Sequence, residues 1–141
     1  MANIDLFDEY TAKILGMLYE SFPIRLHLFA TVISGDEKND QHGNIVDKDE
    51  KPSHAFKVCM ATIEWLRDAG YMNCGKRCSF GYKDCVLTVK GLEVLKSVPD
   101  SVQTRKTIGD KLVSLLHKDI PMEAAKEAAK AAISAGIGIM T

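Results

Sequence analysis

Apolar residues recur every three or four positions over residues 5–21, and this spacing predicts a helix with one buried face. The residues of that face are Phe7, Tyr10, Ile14, Met17 and Leu18. Asp5 is the predicted N-cap, because its carboxylate can accept a backbone hydrogen bond and suits the positive end of a helix. The sequence therefore predicts a first amphipathic helix that ends before Pro23.

The next apolar segment, residues 24–34, reads IRLHLFATVIS and has no single periodicity. It is compatible with a short strand followed by a helix or with one continuous helix, and we expect a helix over Leu26 to Ser34. Residues 35–52 (GDEKNDQHGNIVDKDEKP) are polar and charged. We expect this segment to form a long mobile loop.

A second amphipathic pattern covers His54 to Ala69, with Ser53 as the predicted N-cap and Gly70 as the predicted stop. Apolar residues occupy much more than half of the circumference of this helix. A helix of this kind is buried on more than one side, either at the centre of the fold or against a partner. Val58 and Trp65 are therefore candidate interface residues.

Residues 71–89 have the alternation of a β-hairpin, and Ser79 to Tyr82 is the predicted turn. Pairing Cys78 with Lys83 places one set of residues on a shared face: Met72, Cys74, Lys76, Cys78, Lys83, Cys85, Leu87 and Val89. The opposite face then carries Tyr71, Asn73, Arg77, Asp84, Val86 and Thr88. The first face is apolar near the base of the hairpin, so the sequence predicts a half-buried ribbon.

Three further helices are predicted, over Thr88–Ser97, Val102–His117 and Met122–Ala135. Pro121 stands at the start of the last helix, where a first turn tolerates proline. We expect this helix to end at Gly136 and Gly138.

The alanine-rich helix carries small residues at helical spacing, and small residues allow another helix to approach closely. Its candidate interface residues are Ala125, Ala129, Ala132 and Ile133. We expect residues 99–141 to form a helical extension that packs on the core of the protein or on a partner, such as a second copy.

The composition is that of one soluble globular domain. The chain has 141 residues, of which 46% are hydrophobic and 26% charged. No run approaches the roughly 18 apolar residues of a membrane span, and no basic segment followed by an apolar one resembles a secretory signal. A cytoplasmic protein with no membrane partner is expected.

The net charge of -1 is unevenly distributed along the chain. Formal charges sum to -5 over residues 1–52, to +3 over residues 53–98 and to +1 over residues 99–141. A strongly basic domain would indicate a nucleic-acid partner directly. Here the positive excess is modest and lies in the middle third.

All four cysteines lie in this middle third, and they raise the question of a zinc site: Cys59, Cys74, Cys78 and Cys85. Structural zinc sites usually contain close cysteine pairs, whereas 14, 3 and 6 residues separate these cysteines. We interpret them as small apolar residues and predict no metal. A reducing cytoplasm also disfavours disulfides.

No residue pattern indicates catalysis. The histidines are scattered, and none has a carboxylate at ligand or triad spacing: His27, His42, His54 and His117. The chain has no phosphate-binding glycine loop followed by a helix and no nucleophile motif. We therefore predict a protein that is not an enzyme and needs no cofactor.

Two segments resemble winged helix-turn-helix proteins. The segment ATIEWLRDAGYM (61–72) looks like the end of a recognition helix passing into the first wing strand, and LTVKGLEVL (87–95) is similar to the return strand. The resemblance covers about residues 5–98 and is strongest at 61–95. It implies a mainly α fold with a small β-hairpin wing. Residues 1–98 would form the winged-helix-like core, interrupted by the loop 35–52, and the C-terminal helices would follow.

The resemblance implies a DNA-binding protein, namely a small transcriptional regulator of bacterial or phage type that acts as a dimer. The early part of helix 54–69 would enter the major groove of double-stranded DNA, and the hairpin would lie on adjacent phosphates. The candidate DNA-binding residues are His54, Lys57, Lys76, Arg77 and Lys83.

Two features favour an alternative function. The polar strip of helix 54–69 carries Glu64 and Asp68, and carboxylates repel the phosphates that dominate DNA affinity. The acidic segment 35–52 also replaces the few residues that usually join the second and third helices of the family. The alternative is a winged-helix-derived module for protein interaction or oligomerisation that does not bind DNA.

Overall fold

The computed structural model describes residues 2–35, 53–97 and 106–139, most of which are helical. The elements, in chain order, are α1 (Asn3–Ser21), β1 (Leu26–Phe29), α2 (Ala30–Ser34), α3 (His54–Asp68), β2 (Met72–Asn73), β3 (Arg77–Cys78), β4 (Gly81–Leu87), α4 (Val89–Lys96), α5 (Ile108–Leu116) and α6 (Met122–Ile139). A mainly helical chain with a small antiparallel sheet and C-terminal helices is therefore confirmed. The predicted loop 35–52 lies, except for Gly35, outside the described residues.

The sheet is centred on β4, which pairs antiparallel with β1 on one side and with β2 on the other. Strand β3 continues the ribbon on the β2 side of β4. The ribbon turns through Ser79 and Phe80, and Cys78 lies opposite Gly81. The predicted pairing of Cys78 with Lys83 is therefore wrong by two residues, although a shift of two leaves the assignment of faces unchanged.

Gly81 explains this register. A Cβ atom on Gly81 would lie 1.8 Å from the backbone oxygen of Leu28 in β1. Position 81, which lies opposite Phe29 of β1, must therefore lack a side chain, and Gly81 is a strand residue rather than a turn residue.

Strand β1 replaces the first part of the helix expected over Leu26–Ser34. Pairing with β4 satisfies its backbone groups, and Leu28 is fully buried. The helical prediction is wrong here because tertiary pairing outweighs local preference. Helix α2 then ends at Gly35, whose φ of 71° is the left-handed conformation that glycine adopts readily.

The ends of α3 were predicted correctly. The Ser53 hydroxyl accepts a hydrogen bond from the Phe56 amide at 3.1 Å, and Gly70 follows the helix with a φ of 89°. Helix α1 begins earlier than expected, at Asn3, and its N-cap is Ala2, which makes no side-chain cap bond. The predicted Asp5 cap is wrong, since Asp5 lies inside the first turn.

The ribbon buries one face at its base, as its alternation predicts. Met72, Cys85 and Leu87 are almost fully buried there. Tyr71, expected on the opposite face, is also buried, and its hydroxyl donates a hydrogen bond to the Ile133 carbonyl of α6 at 3.0 Å. The C-terminal helix therefore covers a surface that an isolated ribbon would leave exposed.

Helix α5 is shorter than predicted. Its N-cap is Thr107, which forms a reciprocal capping box with Asp110. Lys106 and Thr107 are not helical, so the predicted start near Val102 is wrong. Residues 98–105 lie outside the described part of the chain.

Helix α6 packs against α1, α5 and α4 and continues to Ile139. The predicted stop at Gly136 is wrong, because this glycine is required by packing rather than by termination. A Cβ at Gly136 would lie 2.0 Å from the Tyr71 hydroxyl oxygen. Within the described ranges, none of the helices combines the length and apolar character needed to cross a bilayer.

Substitution Gly136→Ala should destabilise the protein by about 1–3 kcal/mol, because the added methyl group overlaps the Tyr71 ring. An alanine at an unconstrained helical position would instead stabilise the helix by roughly 0.5–1 kcal/mol. Denaturant unfolding measures the difference. Ser134→Ala, at an exposed position of the same helix, is the control and should change the unfolding free energy by less than about 0.5 kcal/mol. A stabilising Gly136→Ala substitution would contradict this packing.

Candidate functional site

Helix α3 and the ribbon are joined by Glu64, which accepts a hydrogen bond from the Tyr82 hydroxyl at 2.6 Å. Arg77 of the ribbon approaches the same carboxylate oxygen at 3.5 Å. Tyr82 is nearly fully buried, whereas the Arg77 side chain is 63% exposed. The tyrosine therefore provides the stronger link, since exposed ion pairs contribute little.

The second carboxylate of the polar strip is also paired. Asp68 accepts a hydrogen bond from Arg67 Nε at 2.9 Å, and this bond is the main cause of the raised pKa of Arg67. The Arg67 guanidinium also lies 5.2 Å from the Tyr82 ring centre. Both acidic residues of α3 that oppose DNA binding in the sequence thus have an arginine partner.

The candidate DNA-binding residues fall into two groups. Lys57, Lys76 and Lys83 are exposed and make no ion pair with any described residue. Arg77 is paired with Glu64, and His54 Nε2 lies 2.6 Å from the Asn3 side-chain oxygen of α1. The three lysines, rather than all five predicted residues, are the cations available to a ligand.

A bend in β4 adds basic residues that sequence reasoning missed. Asp84 has a φ of 54°, its amide donates to His27 Nδ1 at 3.1 Å, and Arg25 donates to its carbonyl at 3.1 Å. Lys83 and Asp84 are consecutive exposed residues between the buried Tyr82 and Cys85, so the strand's alternation breaks here. Arg25 and His27 are nearly 60 residues away in sequence, and no local pattern indicates this contact.

A separate apolar groove lies between the start of α1, the exposed side of α3 and the end of α6. Its volume is about 670 Å³, and its lining residues are Asn3, Ile4, Phe7, Val58, Ala61, Thr62, Trp65 and Ile133. No lining residue is charged. Trp65 is 45% exposed, and its ring meets the Phe7 ring edge to face at 5.3 Å.

The groove brings together only part of the predicted interface. Val58, Trp65 and Ile133 line it. Ala125, Ala129 and Ala132 are almost fully buried within this chain. The small residues therefore permit α6 to pack closely on its own body, and their side chains are not available to a partner.

The described residues contain no group of three or more histidine, cysteine, aspartate or glutamate side chains that could hold a metal ion. Cys59 lies in the core, and burial raises the pKa of its thiol to about 12. It therefore carries no thiolate at neutral pH and behaves as an apolar core residue.

Comparisons of the chain with protein-family models, curated proteins and solved structures found no match. The function must therefore be argued from two surfaces of this molecule. One surface is the lysine-bearing ribbon with the exposed strip of α3, and the other is the apolar groove, whose α3 residues lie beside that strip.

Substitution Tyr82→Phe should destabilise the protein by about 1–3 kcal/mol, because it removes a hydrogen bond between a buried hydroxyl and a charged group. Arg77→Ala should cost less than about 1 kcal/mol, because the Arg77 side chain is largely exposed. Denaturant unfolding of the two variants tests this order. Equal effects would contradict the conclusion that Tyr82 is the main link.

The pH dependence of the unfolding free energy provides the control for this comparison of variants. Burial, and then the Glu64 carboxylate, raise the pKa of Tyr82, so the folded state retains the phenolic proton more tightly than the unfolded chain does. The resulting stabilisation is present below the unfolded tyrosine pKa of about 10 and is lost as pH rises through the higher folded value. Tyr82→Phe should show a smaller loss of stability above about pH 10 than the wild type.

Proposed function

We propose that this chain is a winged-helix DNA-binding protein that acts in the cytoplasm as a small transcriptional regulator. The order of elements supports this proposal, since helix, strand, helix, helix and β-ribbon follow one another over residues 3–87. The sheet order β1–β4–β2 supports it as well, because β1 holds the ribbon against the helical body. In such a protein α3 and the ribbon contact one duplex together.

The observation that carries the proposal is the pairing of charges between α3 and the ribbon. Glu64 is held by Tyr82 and Arg77, and Asp68 is held by Arg67. The repulsion between these carboxylates and phosphates is thereby reduced, and the unpaired lysines determine the sign of the local charge. A surface of this kind suits phosphate contacts, which position a protein on a duplex without reading its sequence.

The proposed arrangement assigns a role to each lysine. Lys57, in the first turn of α3, would contact the duplex where the helix enters the major groove. Lys76 and Lys83 are neighbours across the ribbon, since the Lys83 amide donates a hydrogen bond to the Lys76 carbonyl at 3.0 Å. They would contact phosphates beside that groove.

Duplex DNA should bind with a dissociation constant in the micromolar range or tighter at low salt, and binding should weaken steeply as salt is added. The double substitution Lys76→Ala/Lys83→Ala should lower the slope of log K against log salt by about 1.8, since each phosphate contact contributes about 0.9. Titration of a labelled duplex at two or more salt concentrations measures both quantities.

The matched control is Lys96→Ala/Lys111→Ala, which removes the same charge from α4 and α5 and should leave the slope unchanged. An unchanged slope in the ribbon variant would exclude the ribbon from the mechanism. The absence of binding at low salt would exclude the proposed function.

The apolar groove favours a second candidate function, namely self-association through α3. Trp65 and Ile4 are large apolar residues that are 45% and 63% exposed, and exposed apolar patches commonly mark interaction sites. A second copy is the proposed occupant, because the groove lining has no charged residue. Two identical surfaces can therefore meet about a two-fold axis without bringing like charges together.

Substitution Ala61→Glu should weaken this self-association by about tenfold or more, because it places a charge in an apolar contact. Ala61 is exposed and helical, so the variant should fold normally. Light scattering over a concentration series gives the mass of each species. Val32→Glu, on the exposed side of α2, is the control. A wild-type monomer at all concentrations would contradict the proposed dimer.

A further inference from the structure

Two cysteines lie in contact at the base of the ribbon. The thiol sulfurs of Cys74 and Cys85 are 3.5 Å apart, and Cys85 is in position to donate the hydrogen bond. Cys74 directly follows β2, whose register with β4 places Asn73 opposite Val86. Residues opposed across an antiparallel pair have Cα separations of about 4.5–5.5 Å, within the range that a disulfide spans.

The two thiols have different environments. Cys85 is fully buried, whereas Cys74 is partly exposed. The hydrogen bond from Cys85 lowers the pKa of the Cys74 thiol and the positive charge of Arg67 lowers it further, whereas burial and the negative charge of Asp68 raise it. The same hydrogen bond and its burial raise the pKa of Cys85. Of the two thiols, Cys74 is therefore the one that loses its proton more readily.

We propose that Cys74 is a site of oxidation by hydroperoxides and that Cys85 then reacts with it to form a reversible cross-strand disulfide. The arrangement fits this reaction because an accessible sulfur lies beside a second sulfur that solvent does not reach. Their separation must fall from 3.5 Å to about 2.05 Å, which requires side-chain rotation in a ribbon whose strands are already paired.

The reaction balances with a hydroperoxide as the oxidant. The Cys74 thiolate attacks the terminal peroxide oxygen, the O–O bond breaks, and the alkoxide or hydroxide that leaves takes up a proton. Cys74 becomes a sulfenic acid. The Cys85 sulfur then attacks the Cys74 sulfur, the S–O bond breaks, and the Cys85 proton leaves with that oxygen as water. With hydrogen peroxide, two thiols and one peroxide give one disulfide and two waters.

The other two cysteines serve as internal comparisons. Cys59 is fully buried in α3, and its raised pKa suppresses the thiolate. Cys78 is partly exposed in β3 and lies opposite Gly81, so its cross-strand neighbour has no thiol.

The test treats the reduced full-length chain with hydrogen peroxide at pH 7, traps the remaining thiols with an alkylating reagent and maps tryptic peptides by mass. Arg67, Lys76, Arg77 and Lys83 place each cysteine on a separate tryptic peptide. We expect a loss of 2 Da, a crosslink between the Cys74 and Cys85 peptides, and recovery of both thiols with a dithiol reductant. The Cys74 thiol should be lost about tenfold faster than the Cys78 thiol.

Variants separate the two steps. Cys74→Ala should abolish the fast loss of thiol, and Cys78→Ala should leave the crosslink unchanged. Cys85→Ala should stop the reaction at the Cys74 sulfenic acid, which a 1,3-dione reagent captures. The map of the unmutated protein does not depend on how the buried Cys85→Ala variant folds. A crosslink between other cysteines, or equal rates of loss at Cys74 and Cys78, would overturn the proposal.

Discussion

The hydrogen bond between Tyr82 and Glu64 determines how the ribbon is oriented on α3. Tyr82 extends from the start of β4, the strand that pairs with all the other strands of the described sheet. Glu64 lies on the side of α3 next to the ribbon, where Arg77 also reaches it. Tyr82 is nearly fully buried and the Glu64 side chain is 35% exposed, so this contact is partly shielded from solvent. The positions of the ribbon lysines relative to α3 depend on it.

The same contact changes the electrostatic argument about DNA. In the sequence, Glu64 and Asp68 are two carboxylates on the strip that would face phosphates, and they weaken a nucleic-acid interpretation. In the fold, each has an arginine partner, and Glu64 helps to position the ribbon. A carboxylate on a candidate binding surface therefore has to be judged with its partners, since a paired charge contributes far less to the field than an isolated one.

Local signals in the sequence predicted the elements whose ends depend on local chemistry. Ser53 and Gly70 cap and terminate α3 where the pattern indicated, and the buried base of the ribbon followed from alternation. Two failures are local, namely the Asp5 cap and the start of α5, which the capping box of Thr107 and Asp110 defines. The other failures occur where backbone or side chains from distant segments meet. Strand β1 forms because it pairs with β4. The Leu28 carbonyl leaves no room for a side chain at Gly81, and the Tyr71 side chain leaves none at Gly136. A single sequence without those neighbours in view interprets both glycines as turn or stop signals.

In the candidate site, too, local signals were visible in the sequence and contacts between distant segments were not. The two surfaces of the site meet at the start of α3. Lysines on the ribbon could be identified from charge alone, whereas the groove required α1, α3 and α6 to be placed side by side. His54 and Asn3 are in contact at 2.6 Å, and Asn3 also lines the groove. A second copy bound in the groove would therefore press on the residue that holds the first turn of α3, next to Lys57. Under the two proposals, self-association and DNA contact use neighbouring faces of one helix, and coupling between them would pass through His54.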